Sequence, residues 1–290
     1  MLTVTPLPHS FIAEIGNVDL TKPVGDAAMA EIRRAWAAHP VLVFRKQGLD
    51  ADGQQAFAER FGKLSGRSRP QSDRGTQVQK NPHLMIVTNV KDADGNPMGS
   101  GDTDQAFHTD GCFRDVPTLA TFLYGMEVPA VGGETLFVDM NAVYDALSAK
   151  TRKAILGRGG VNYHYFGYRT FNKSAAAADG KTMRDSVRHA VHPLVIGHPV
   201  TGKPVVYANR HNTREIDRME ASDAKPILRE IFEAVEARDG IYAHPWQVGD
   251  LVMWDNRAVQ HARAPCDPSQ RRMLRRFAVD CAERPQPFAN

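Results

Sequence analysis

The run D-L-V-M-W-D-N-R-A-V-Q-H (residues 250–261) reads as a strand over 250–255 that ends in a polar turn and leads to a histidine. Strand signals recur on either side of it. They fall at 40–44 (P-V-L-V-F), 84–90, 119–128, 134–139, the aromatic run V-N-Y-H-Y-F at 161–166, 192–196, 204–208 and 274–280. Helical periodicity is confined to four stretches. Residues 25–38 place Met29, Ile32 and Trp36 on one face, with Asp26 at the start. Residues 51–62 set Phe57 and Phe61 four apart, with Gly62 as the stop. A third helix covers 140–148. The fourth, 222–237, is capped by Ser222 or Asp223 and carries the stripe Ile227, Ile231, Val235. Many strands punctuated by Gly and Pro favour a sandwich or barrel over βαβ units. No glycine-rich phosphate loop follows a strand, and no internal repeat is visible. The expected fold is mainly β with flanking helices.

The composition excludes several classes. The 290 residues are 42% hydrophobic and 24% charged, which is ordinary for a globular chain able to bury a core. A formal net charge of +3, without long like-charge runs, argues against nucleic acid or membrane surfaces as partners. Cys112, Cys266 and Cys281 have no C-x-x-C spacing and read as reduced thiols. With no apolar segment of membrane-spanning length, the expectation is a soluble, cytoplasmic protein.

F-H-T-D-G at 107–111 supplies the chemistry. On an extended segment His108 and Asp110 point to the same side, because strand side chains alternate with period two. A distant histidine, His261, completes a three-ligand face. Two His and one carboxylate with open positions are the ligand set of non-haem Fe(II) oxygenases, and open positions on Fe(II) imply a co-substrate and O2. Eleven residues after His261, Arg272 offers a fork-shaped donor for a dicarboxylate chelator. Arg276 lies four further on and on the same strand face, where it reaches a second anion. Arg271 and Arg275 fall on the opposite face and are expected to be solvated.

The chain resembles the TauD/TfdA family, the taurine dioxygenase and 2,4-D dioxygenase group of Fe(II)- and 2-oxoglutarate-dependent oxygenases. The resemblance runs in family order through F-I-A-E-I-G-N-V-D-L, H-T-D-G, V-P-A-V-G-G-E-T-L-F-V-D-M-N-A-V-Y-D-A-L, H-P-V-T-G-K-P-V-V-Y-A-N-R, W-x-x-G-D-L-V-M-W-D-N-R-x-x-x-H and R-R-M-L-R-R. It implies a double-stranded β-helix, or jelly roll, as a single domain over 1–290, and a homo-oligomer. It maps the iron onto His108, Asp110 and His261, and the distal carboxylate of 2-oxoglutarate onto Arg272 and Thr135. Arg276 matches the substrate-anion arginine. The implied reaction hydroxylates a small organic anion, an alkylsulfonate, aryloxyalkanoate or related carboxylate. Succinate and CO2 form alongside, and C–S or C–O cleavage follows where the carbon carries such a group.

The substrate end departs from the taurine enzymes at Phe107, Asp104 and Asn212. Asp104 and Asn212 are therefore candidate substrate contacts, together with Tyr165 and Tyr168 from the aromatic run. Two long polar segments, 66–82 and 169–189, read as lid loops. Two other readings stay open: a hydroxylase of an amino-acid-derived intermediate without cleavage, and a catalytically silent metal-binding jelly roll.

Overall fold

The computed structural model describes residues 1–66, 81–95, 98–99 and 106–289. Its strands are β1 (Thr3–Pro6), β2 (Ile12–Gly16), β3 (Val41–Phe44), β4 (Met85–Thr88), β5 (Thr118–Glu127), β6 (Thr135–Asp139), β7 (Gly159–Tyr163), β8 (His189–Pro193), β9 (Val195–Gly197), β10 (Pro204–Val206), β11 (Thr213–Ile216), β12 (Ile241–His244), β13 (Leu251–Asp255), β14 (Val259–Arg263) and β15 (Met273–Asp280). The helices are α1 (Asp26–Ala38), α2 (Ala51–Glu59), α3 (Met140–Ala146), α4 (Ala149–Ile155), α5 (Tyr165–Phe171), α6 (Ala175–Ala178), α7 (Met183–Ser186) and α8 (Ala221–Val235). The chain divides into two compact units, one of residues 1–105, 118–137 and 242–281, the other of 106–117, 138–241 and 282–290.

In the first unit a seven-stranded sheet runs β1-β2-β3-β13-β5-β15-β4. The central strand β13 shows why it forms. Leu251 and Met253 enter one cluster with Leu42, Phe44, Phe122 and Phe277, and with Met29, Ile32 and Phe57 from α1 and α2. Val252 and Trp254, one residue out of phase, enter another with Val41, Val43, Leu123, Leu274, Phe137 and Val259. Both faces of the sheet are therefore covered. Helices lie on one, and the three-stranded sheet β12-β6-β14 faces the other. This is the jelly-roll arrangement expected from the sequence. The side chain of Asp50 caps α2 by accepting from the Gly53 N–H at 2.7 Å. That helix ends at Glu59, short of the expected Gly62.

Arg275 corrects one expectation. It is buried, not solvated, because the face of β15 opposite Arg272 is covered by α2. Its Nε donates to Gln54 Oε1 at 2.7 Å, and Nη2 donates to the carbonyls of Leu49 and Asp50 at 2.6 and 2.8 Å. Arg271 is exposed as expected and pairs with Glu127.

The second unit holds the sheet β11-β7-β8 and the hairpin β9-β10. Helix α8 begins after Glu220, earlier than its expected cap, and buries Leu228, Ile231, Phe232 and Val235. Two further expectations change here. The strand expected over 161–166 stops at Tyr163, and Tyr165 opens α5. The segment 169–189, expected to be an aperiodic loop, carries the end of α5 together with α6 and α7. A reciprocal capping box between Thr182 and Asp185 starts α7. That four-residue signal is too short to register as periodicity. Most of the other expected lid, 66–82, lies outside the described residues.

Candidate metal centre

His108 and Asp110 belong to a tighter local structure than the extended pair expected. His108 sits at an isolated bridge position, and Asp110 opens a turn continued by Gly111 at φ 67°. Phe107 and Thr109 on either side are buried. The Nδ1 of His108 lies 2.9 Å from the carbonyl of Ala106. A carbonyl only accepts, so Nδ1 donates this bond and Nε2 is the nitrogen turned toward Asp110. That Nε2 stands 3.8 Å from Asp110 Oδ1.

His261 lies on β14, a strand the sequence reading did not single out. The strand is V-Q-H-A-R, buried throughout, so its polar residues hid the period. Val259, on the same face as His261, packs in the cluster between the sheets. The imidazole is 9% exposed and its centroid lies 4.6 Å from that of Trp254. The sequence thus places this histidine inside, against a flat apolar wall.

Ligand atoms of His108, Asp110 and His261 all lie within 4.8 Å of one another. Two imidazoles and one carboxylate, with no thiolate among them, are a donor set that fits Fe(II) and would leave part of its coordination sphere open.

Arg272, immediately before β15, is among the most completely buried side chains, at 2% exposure. Its Nε donates to the carbonyl of Gly133 at 2.8 Å, and its backbone is held by Asn89 and Thr88. Gly133 has φ 71°, and a Cβ there would lie 3.0 Å from Arg272 Cδ and from Pro129 Cγ. The G-G of G-G-E-T thus admits the arginine. Two residues on, buried Thr135 accepts from Trp246 Nε1 at 3.0 Å, so its own O–H points elsewhere as a donor.

Arg276 is half-buried, and its Nη2 donates to Thr121 Oγ1 at 3.4 Å. The same hydroxyl accepts from Asn256 Nδ2 at 3.1 Å, and Asn256 Oδ1 accepts from Trp254 Nε1 at 3.1 Å. The W-D-N-R motif therefore carries a hydrogen-bonded brace reaching Arg276. The motif is legible in the sequence, but the bracing role of Asn256 within it is not.

The other candidates divide. Asp104 lies outside the described residues. Asn212 is buried, with its amide spent on the carbonyl of Tyr163 at 2.9 Å. Tyr165 stacks on His211, with centroids 3.7 Å apart and planes at 14°. The ring of Tyr168 meets Tyr165 edge-on and carries the Arg214 guanidinium 4.0 Å above it. His211 itself was missed. It is buried, and burial first, then the His108 and Arg214 charges, push its pKa down to about 3. The only sequence signal was its place in N-R-H-N-T-R.

A double-sheet β fold with a two-histidine, one-carboxylate ligand set and an inward, carbonyl-anchored arginine defines a non-haem iron oxygenase of the jelly-roll class. Residues 3–278 match the family described as "Taurine catabolism dioxygenase TauD, TfdA family". The chain belongs to that family, and so to the Fe(II)- and 2-oxoglutarate-dependent dioxygenases. It is 30% identical to an alpha-ketoglutarate-dependent 2,4-dichlorophenoxyacetate dioxygenase of Cupriavidus pinatubonensis, over 95% of this chain and 96% of that one. It is also 30% identical to a pentalenolactone F synthase of Streptomyces avermitilis, over 96% and 94% of the two chains. A crystal structure of AAD-2 in complex with Mn(II) and N-oxalylglycine superposes with a TM-score of 0.81 at 27% identity, covering 100% of this chain and 99% of that one.

Proposed function

We propose that this dioxygenase oxidises a small organic anion of the aryloxyalkanoate or alkylsulfonate type. His108, Asp110 and His261 hold the iron. Arg272 and Thr135 bind the far carboxylate of 2-oxoglutarate, and Arg276 binds the anionic end of the substrate. The reading rests on one observation, the convergence of three ligand atoms from H-T-D and from β14.

When bound, Fe(II) activates O2 against 2-oxoglutarate, which leaves as succinate and CO2, and one oxygen atom enters a substrate C–H bond. The chain's own residues bind and orient. The guanidinium of Arg272 is pre-aimed, because Nε is already fixed on Gly133 and the remaining fork faces a carboxylate with little entropy left to lose. Thr135 adds a hydroxyl donor whose oxygen is fixed by Trp246. Arg276, braced through Thr121, sets the distance at which a substrate anion stops, and so which C–H bond meets the metal. Where that carbon bears an ether oxygen or a sulfonate, the hydroxylated product collapses to a carbonyl compound with release of phenol or sulfite.

The 30% identity to pentalenolactone F synthase supports a second reading, oxidation of a biosynthetic intermediate with no leaving group. Succinate formation across aryloxyalkanoates, alkylsulfonates and amino acids tests the first reading, and product analysis separates the two. Released phenol or sulfite supports cleavage; a retained hydroxyl supports the biosynthetic role. We further take the chain as one catalytic domain whose 169–189 segment serves as a lid, working as a cytoplasmic homo-oligomer. Cys112, Cys266 and Cys281 are thiols rather than disulfides, which suits a reducing compartment. Among the described residues no helix is long and apolar enough to cross a membrane.

A further inference from the structure

We infer that Trp246 is a positioning residue for 2-oxoglutarate: its indole N–H fixes the direction of the Thr135 hydroxyl, and so where that hydroxyl donates. The inference rests on the assignment of Arg272 and Thr135 proposed above.

Trp246 lies in the turn between β12 and β13, and β12 runs beside β6, the strand that begins at Thr135. Both side chains are buried. An indole has one N–H and no acceptor, so in the 3.0 Å contact with Thr135 Oγ1 the tryptophan donates and the threonine accepts. A hydroxyl proton rotates to suit its partners. With one acceptor site of Oγ1 taken by the indole, the Thr135 proton is turned to another side, where the group acts as a donor. A carboxylate suits such a donor, because an ionised carboxylate only accepts. Arg272, anchored on Gly133 two residues before Thr135, supplies the matching charge.

The indole is itself held on several sides. The His244 ring meets it edge-on, with centroids 4.7 Å apart and planes at 86°. His244 Nε2 lies 3.2 Å from Asp250 Oδ2, and both side chains are fully buried. The same carboxylate oxygen accepts from the Gln247 N–H at 2.8 Å and pairs with Arg45. The backbone of the turn is fastened to β5: the Gly125 N–H donates to the Asp250 carbonyl and the Gly249 N–H to the Gly125 carbonyl, each at 2.9 Å. Gly125 permits this approach, since a Cβ there would lie 3.3 Å from Trp246 Cε3 and 2.9 Å from the Gln247 carbonyl oxygen. The W-x-x-G-D motif thus builds a rigid mount for one N–H donor aimed at one hydroxyl.

The test is anaerobic calorimetry of the Fe(II)-loaded protein with 2-oxoglutarate, and with pyruvate, a 2-oxo acid that lacks the far carboxylate. Trp246→Phe keeps a flat ring and loses the N–H. It is expected to weaken 2-oxoglutarate binding about 3–10-fold, the worth of one hydrogen bond, and to leave pyruvate and Fe(II) affinity unchanged. Thr135→Val is expected to show a comparable loss. The double variant is expected to bind no more weakly than Thr135→Val alone, because without the hydroxyl the indole has nothing to orient. Wild-type 2-oxoglutarate affinity in folded Trp246→Phe would overturn the inference, as would independent losses in the double variant or an equal loss toward pyruvate. Should Trp246→Phe not fold, Trp246→benzothienylalanine carries the test, since it keeps the tryptophan shape with sulfur in place of the N–H. Weaker 2-oxoglutarate binding then supports the inference, and unchanged binding overturns it. If Thr135→Val and Arg272→Ala both bind 2-oxoglutarate as the wild type does, the co-substrate assignment falls and the inference with it. A loss in those two with none in Trp246→Phe overturns the inference alone.

Discussion

Arg272 and Gly133 form a matched pair: the arginine Nε donates to the glycine carbonyl at 2.8 Å, and a Cβ on the glycine would lie 3.0 Å from the arginine Cδ. The backbone at 133 is left-handed, at φ 71°. Gly133→Ala therefore adds a steric push on Arg272 to the strain of a positive φ. The expected outcome is 2-oxoglutarate affinity lowered about 10-fold, with Fe(II) binding spared, measured by anaerobic calorimetry. Unchanged co-substrate affinity would detach Arg272 from that role.

Arg272→Ala removes the charge itself. Hydrogen bonds to charged groups contribute about 1.5–3 kcal/mol, so 2-oxoglutarate should bind about 10–100-fold more weakly. Arg272→Lys should rescue only in part, because a point charge cannot reproduce the fork. Metal affinity measured on the same preparations should stay at the wild-type value.

Arg276→Ala should raise KM for the primary anion and leave the 2-oxoglutarate dissociation constant alone. Thr121→Val, which cuts the brace without touching substrate, should do the same more weakly. An equal loss of co-substrate binding in either variant would reverse the assignment of the two arginines.

Arg275→Met tests the buried face of β15. Its removal strands Gln54 and the carbonyls of Leu49 and Asp50 at the start of α2. Breaking such a buried network typically costs roughly 3 kcal/mol, or about 5–10 °C in the unfolding midpoint. Arg271→Ala, at an exposed pair with Glu127, should leave the midpoint essentially unchanged. Thermal unfolding of the two variants side by side decides the matter.

Arg272 and Arg275 also mark what the sequence leaves hidden. Period-two alternation separates Arg272 from Arg275, and the structure keeps that separation. What alternation does not reveal is that α2 covers the second face, so Arg275 was expected in solvent. His108, Asp110 and the strand before His261 were legible because their motifs are local and ordered. Strand β14 itself was not, because Gln260, His261 and Arg263 make a fully buried strand read as polar. His211 was illegible for a similar reason. Its burial against the Tyr165 ring arises only when the chain folds.

Acid sensitivity follows from His244. It is fully buried; burial lowers its pKa, and the Asp250 carboxylate 3.2 Å away only partly offsets this. The unfolded chain takes up this proton near pH 6.5, whereas the folded chain resists it. Below that pH the unfolded state binds more protons, so the stability present above about 6.5 erodes as pH falls toward the folded value. The unfolding midpoint should drop between pH 7 and 5, and His244→Asn, though less stable, should show a shallower slope. Equal slopes would place the sensitivity elsewhere.

The central claim is that His108, Asp110 and His261 together hold one catalytic Fe(II). Oxygen-dependent conversion of 2-oxoglutarate to succinate in the presence of a turned-over aryloxyalkanoate or alkylsulfonate, with Fe(II) content measured on the same samples, tests it most directly. One iron per wild-type chain, with iron and succinate lost together in His108→Ala, Asp110→Ala and His261→Ala, is the predicted result. Full iron occupancy or undiminished succinate in any folded one of these variants would contradict it.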